Sequence, residues 1–194
     1  MKPLHTTPLV DYGKFAEAKE YYETQGFEEI AVPWVLEYES YNATRPPNRK
    51  EFYVLGGYMN ASGEQGFLEL MMRGKKVGRQ MCITACFREE PVLDGLHHRY
   101  FMKLELIDTD VSLENLHSII TIAQGFFDRY LPLEAKTKVI PMDEKGETFD
   151  IVDDRLGMEL GSYGIREHEG YRWIYATGLA LPRLDSVVNL LNKK

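Results

Sequence analysis

The sequence predicts an α+β fold, an antiparallel β-sheet flanked by helices, and three observations predict it. Strand-like runs outnumber helical ones and mostly do not alternate with them, so a βαβ order is absent. Two runs, Gln80–Arg88 and Tyr100–Ile107, alternate cleanly on either side of a polar loop and read as an antiparallel pair. The chain closes on Leu184, Val187, Val188 and Leu191, whose i, i+3, i+4, i+7 spacing makes an amphipathic helix.

The elements run in this order. Phe15, Ala18 and Tyr22 have helical spacing, and Gln25-Gly26 stops that helix, since Gly accepts a left-handed conformation. Phe27 to Trp34 reads as a strand ending at Pro33, and Glu51 to Tyr58 as a second β-like run. Arg45 to Lys50 is a basic, turn-rich segment, either a solvated loop or a flap. Ser62-Gly63-Glu64-Gln65 resembles a capping box opening a helix that buries Phe67, Leu70 and Met71. In the first alternating run, Cys82, Thr84, Cys86 and Arg88 share a face; in the second, Phe101, Lys103 and Glu105 do. Ser112 caps a helix with a stripe of Leu116, Ile119, Ile120, Ala123, Phe127 and Tyr130, and strands at about 136–142, 148–153 and 171–177 precede the last helix.

At 194 residues the chain suits one well-buried domain, residues 1–194, and 44% apolar with 27% charged residues excludes a disordered chain. No run is long and apolar enough for a bilayer span or an export signal. Cys82 and Cys86, four apart on one strand, lie too far apart for a disulfide and lack further ligands at zinc spacing, so buried thiols in a reducing cytoplasm are expected. A net charge of −7 argues against a broad nucleic-acid surface while allowing a local basic pocket.

Three segments, in order, resemble the signature motifs of class II aminoacyl-tRNA synthetases. Gly26-Phe27-x-x-Ile30-x-x-Pro33 resembles the segment that forms the dimer interface in that family. Phe87-Arg88-Glu89-Glu90 followed by His97-x-x-x-Phe101-x-x-x-Glu105 resembles FRxE and [R/H]xxxFxxx[D/E]. Gly178-x-Ala180-x-Pro182-Arg183 resembles GxGxxER, with Ala180 and Pro182 in place of the usual Gly and Glu. Glu159-Leu160-Gly161-Ser162-Tyr163-Gly164-Ile165-Arg166 resembles the metal- and substrate-binding strand of aspartyl- and asparaginyl-tRNA synthetases, and closely the Glu-Leu-x-Ser-x-Gly-Ile-Arg run of ammonia-dependent asparagine synthetase.

The resemblance implies a class II catalytic domain without an anticodon-binding domain, using ATP and Mg²⁺ to activate an amino acid or similar small carboxylate for an acceptor other than a conventionally recognised tRNA. It implies Arg88 and Arg183 as catalytic. It further implies that Arg88, Glu90, His97, Phe101 and Arg183 bind ATP, that Glu64, Glu105, Ser162 and Arg166 bind the substrate, and that Glu159 and Asp150 hold the metal. An Arg in a rigid strand suits a developing phosphoryl charge, and an aromatic face suits adenine. Glu64 has a second reading as a helix-capping acid, and Arg166 as a surface partner of Glu167 or Glu169. The spacing of Glu159 and Arg166 favours an aspartate- or asparagine-like substrate, whereas Asp94 to Phe101 resembles phenylalanyl-tRNA synthetase. A homodimer is expected, because Tyr21, Tyr22, Phe27, Val32 and Trp34 are more aromatic and apolar surface than a small domain covers. The alternatives are a catalytically silent synthetase-like regulator and a minimal tRNA-charging enzyme.

Overall fold

The computed structural model describes residues 10–45, 50–90, 93–94 and 96–193. The N-terminal residues 1–9 and residues 46–49 of the basic segment lie outside that range.

Helix α1 (Tyr12–Thr24) is capped by the Asp11 carboxylate and buries Phe15, Ala18 and Tyr22. It stops at Gly26, whose φ of 84° only Gly adopts cheaply. The strand expected over 27–34 shrinks to β1 (Glu28–Glu29), parallel to β5 (Gln80–Phe87). The chain then leaves the sheet edge because Pro33 has no N–H to donate and Val32 packs onto the backbone of Gly66. Next comes a small second sheet: β2 (Val35–Leu36), β3 (Tyr53–Val54) and β4 (Gly57–Met59), with β4 central and helix α2 (Tyr38–Ala43) beside it.

Helix α3 (Gly63–Met72) leads to β5, which pairs antiparallel with β6 (Tyr100–Asp108), as the alternation predicts. Helix α4 (Leu113–Phe127) starts at the Ser112 cap, and β7 (Thr137–Pro141), β8 (Thr148–Asp153), β9 (Glu159–His168) and β10 (Tyr171–Leu181) form an antiparallel run before α5 (Arg183–Leu191). The seven-stranded order is β1-β5-β6-β10-β9-β8-β7, antiparallel except at β1.

The two faces of this sheet differ. Met81, Leu104, Leu106, Ile174 and Ala176 pack with the apolar stripes of α1, α4 and α5 into one core. On the other face Cys82, Ile107 and Trp173 pack under Phe67, Leu68 and Met71 of α3, which covers only part of it. The rest of that face is a cavity. Pro182 occupies the N-cap of α5, which puts Arg183 at the first position of the helix.

Candidate active site

Register decides which side chains share the open face. Cys82 lies opposite Glu105, and Glu105 opposite Thr177; Thr84 lies opposite Lys103, and Lys103 opposite Ala180; Cys86 lies opposite Phe101. Tyr175 opposes Gly164 and Asp150 opposes Ser162, so β9 adds its alternate residues to the same side.

The inner end of the cavity is built where α3 meets this face. Ser62 caps the helix, accepting from Glu64 N–H at 3.3 Å, while its hydroxyl contacts both Glu105 oxygens at 2.7 and 2.8 Å. Glu64 N–H also donates to Glu105 at 3.0 Å, so a strand carboxylate satisfies the positive end of the helix. The expected capping box is altered: Gln65 accepts from Ala61 N–H at 2.7 Å, one residue before the cap. Only Gly fits at 63, since a Cβ there would lie 2.5 Å from Cys82 Sγ and 2.9 Å from Glu105 Oε2. Burial alone would raise the Glu105 carboxyl, but ion-paired Lys103, Ser62 and Arg88 together hold it below the usual glutamate value.

Glu64 is not a capping acid. Its side chain is buried, with Oε1 accepting from the Trp173 indole at 2.8 Å and Oε2 ion-paired to Arg166. The Arg166 guanidinium lies 4.1 Å from the Tyr175 ring centre. Arg166 therefore pairs across the fold rather than with Glu167 or Glu169. Burial raises the Glu64 carboxyl and the Arg166 charge opposes that rise.

The outer end gathers the second and third motifs. Arg88 donates from Nε to the Ala61 carbonyl at 2.8 Å, and its guanidinium lies 5.2 Å from the Phe101 ring centre. Glu105 forms its ion pair with Lys103 rather than with Arg88. His97 Nδ1 lies 2.9 Å from Asp94, whose carboxyl falls to about 2 because the Leu96 N–H, the His97 ring and the His97 N–H all bind it. Arg183 meets Glu159 at 2.9 Å. Asp150 sits one strand further out, bonded to Ser162; burial and then the Glu159 charge raise its carboxyl.

These groups line one cavity of about 370 Å³. It collects Glu64, Arg88, Glu90, His97, Phe101, Glu105, Glu159, Ser162, Arg166 and Arg183, every predicted site residue except Asp150. No group of three or more His, Cys, Asp or Glu side chains suited to a metal occurs among the described residues. Mg²⁺ commonly takes one or two carboxylates and completes its shell with phosphate and water, so Glu159 would be the residue to hold such an ion here. Sequence reading missed Lys103, Tyr175 and Thr177 as lining groups. The alternation of Phe101, Lys103 and Glu105 marked the first; the other two needed the β6–β10 register.

No protein-family model matches the chain, and no curated protein matches it. Solved structures do. A pyrrolysyl-tRNA synthetase from Desulfitobacterium hafniense superposes with a TM-score of 0.70 at 18% identity, over 91% of this chain and 68% of that one. A second structure of the pyrrolysyl enzyme from that organism gives 0.67 over the same shares. The cytoplasmic serine-tRNA ligase of Naegleria fowleri, in complex with AMP, gives 0.71 at 14% identity, over 92% of this chain and 48% of that one. The fold is that of the class II aminoacyl-tRNA synthetase catalytic core. No described helix is long and apolar enough to cross a membrane.

Proposed function

We propose that this protein uses ATP to activate a small carboxylate, an amino acid or a similar acid, as an acyl-adenylate. One observation carries the reading: a single cavity brings Arg88, His97, Phe101, Glu159 and Arg183, from separated segments, against an inner end of polar groups. The substrate carboxylate attacks the α-phosphorus of ATP; the new P–O bond forms while the bond to the bridging oxygen breaks, and pyrophosphate leaves with that electron pair. Arg88, anchored through Nε, stabilises charge on the α-phosphoryl oxygens. Phe101 stacks under adenine, Glu90 accepts from its amino group, and His97 and Arg183 meet the outer phosphates. Mg²⁺ held by Glu159 with the phosphates would neutralise charge there. Positioning supplies most of the remaining rate.

Arg166 and Glu64 read the far end of the substrate as a pair. An aspartate-like carboxylate would meet Glu64 as well as Arg166, whereas an asparagine-like carboxamide both donates and accepts. The acceptor in our reading is a small nucleophile rather than tRNA, in keeping with the acidic chain. Buried free thiols at Cys82 and Cys86 fit a reducing cytoplasm, and the exposed face of the small sheet fits a homodimer.

ATP–pyrophosphate exchange over a panel of carboxylates tests this. We expect exchange with at least one acid, and a loss of about 10²–10³-fold in Arg88→Ala and Arg183→Ala without a change in fold. Nucleotide binding without exchange by any acid would establish a silent, synthetase-like binding protein instead.

A further inference from the structure

The inner end of the cavity has its carboxylates already neutralised. Glu64 is ion-paired to Arg166, and Glu105 to Lys103; Glu159, further out, is paired to Arg183. Glu105 is the most fully used of the three. Ser62, Lys103 and the Glu64 N–H occupy both of its oxygens, and a carboxylate offers about four acceptor positions in all. Lys103 is itself sequestered, its side chain only 12% exposed, at the point where the cavity floor passes from Phe101 to Glu105.

An α-ammonium entering this site needs a carboxylate to compensate its charge in a buried setting. Glu105 can provide one only by releasing Lys103, and a buried cation deprived of its partner is strongly disfavoured, while the charge of Glu64 is already offset by Arg166. Glu90 lies on the Arg88 side, at the end assigned to the nucleotide. Lys103 thus does for Glu105 what a substrate ammonium would otherwise do. The held-down carboxyl of Glu105 agrees, since Lys103 is the foremost of the groups that oppose burial there.

From the Lys103–Glu105 and Arg166–Glu64 pairs we infer that the acid activated here carries no α-ammonium group, and that Lys103 excludes ordinary α-amino acids. The inference rests on the adenylation reading and narrows its substrate to the non-amino acids among small carboxylates. It extends to no particular side chain.

The test uses two stable acyl-adenylate analogues that differ only at the group in question, acetyl-sulfamoyl-adenosine and glycyl-sulfamoyl-adenosine, titrated calorimetrically into the intact chain. We expect the acetyl compound to bind at least about tenfold more tightly. Lys103→Gln should reverse or erase that ratio by tightening the glycyl compound, an effect that a purely structural lysine would not produce, because loss of packing weakens both ligands alike. Tighter glycyl binding by the unaltered protein would overturn the inference and leave adenylation standing. Failure of both analogues to bind would remove the adenylation reading and this inference with it. If Lys103→Gln does not fold, the ratio in the unaltered protein still decides.

Discussion

Glu64 and Glu105 lie against the same helix end, are both buried, and are pushed in opposite directions. Glu64 has one cation and an indole, and burial prevails, so its carboxyl is raised. Glu105 has Lys103, Ser62 and Arg88, and their sum prevails over burial, so its carboxyl is lowered. The linkage differs accordingly. Glu64 contributes stability at acid pH that is lost as pH rises through its folded pKa. Glu105 contributes stability that is present above the ordinary glutamate value of 4.5 and is lost as pH falls through its lower folded value. Glu105→Gln should therefore melt below the unaltered protein near neutrality, and the gap should narrow as pH drops below about 4.5. Thermal melts across that range check it; a gap that widens on acidification would refute the assignment.

The N-terminus of α3 shows how one element positions the site. Its approach to β5 and β6 depends on Gly63, over which Cys82 Sγ and Glu105 Oε2 close. A methyl group there must push the helix off the sheet or displace those atoms, at about 1–3 kcal/mol. Gly63→Ala should lower the melting temperature, and Cys82→Ala in the same chain should return part of the loss by removing the nearer contact. The double-mutant cycle measures this, and strictly additive losses would show that the approach is not limiting. The first motif illustrates a different failure of local reading. Its alternation from Phe27 onward is strand-like, yet only Glu28 and Glu29 form a strand, because the residues from Val32 to Pro33 pack against α3 rather than another strand.

At the scale of the whole molecule, most of the surface expected to face a partner is covered within the chain. Tyr22, Phe27 and Val32, expected to face a partner, are 0%, 3% and 8% exposed and belong to the chain's own cores. Trp34, Val35, Tyr38, Tyr53 and Leu55 are exposed together on and beside the small sheet, with Leu55 fully exposed, and of the residues expected to face a partner Trp34 is among them. Grouped apolar exposure of this kind marks an interaction face. We expect a dimer in sedimentation at micromolar concentration, and a monomer after Leu55→Glu with Trp34→Glu. A doubly substituted chain that remains dimeric would place the interface elsewhere.

The sequence by itself determined the α+β class, the β5–β6 pair, the helices at Ser112 and Leu184, and a set of site residues that, Asp150 apart, all line the one cavity. Periodicity reports which face a residue takes within its own element, and a motif reports chemistry at fixed local spacing; both are properties of short segments. Only the tertiary structure decided the partners. Glu64 and Arg166 are 102 positions apart, and Trp173 lies 109 from Glu64, so no local pattern distinguishes a capping acid from this buried pair. The same holds for the β6–β10 register that brings Thr177 over Glu105. Those pairings are set by which apolar faces bury one another across the sheet, a choice made by the whole chain at once rather than by any segment of it.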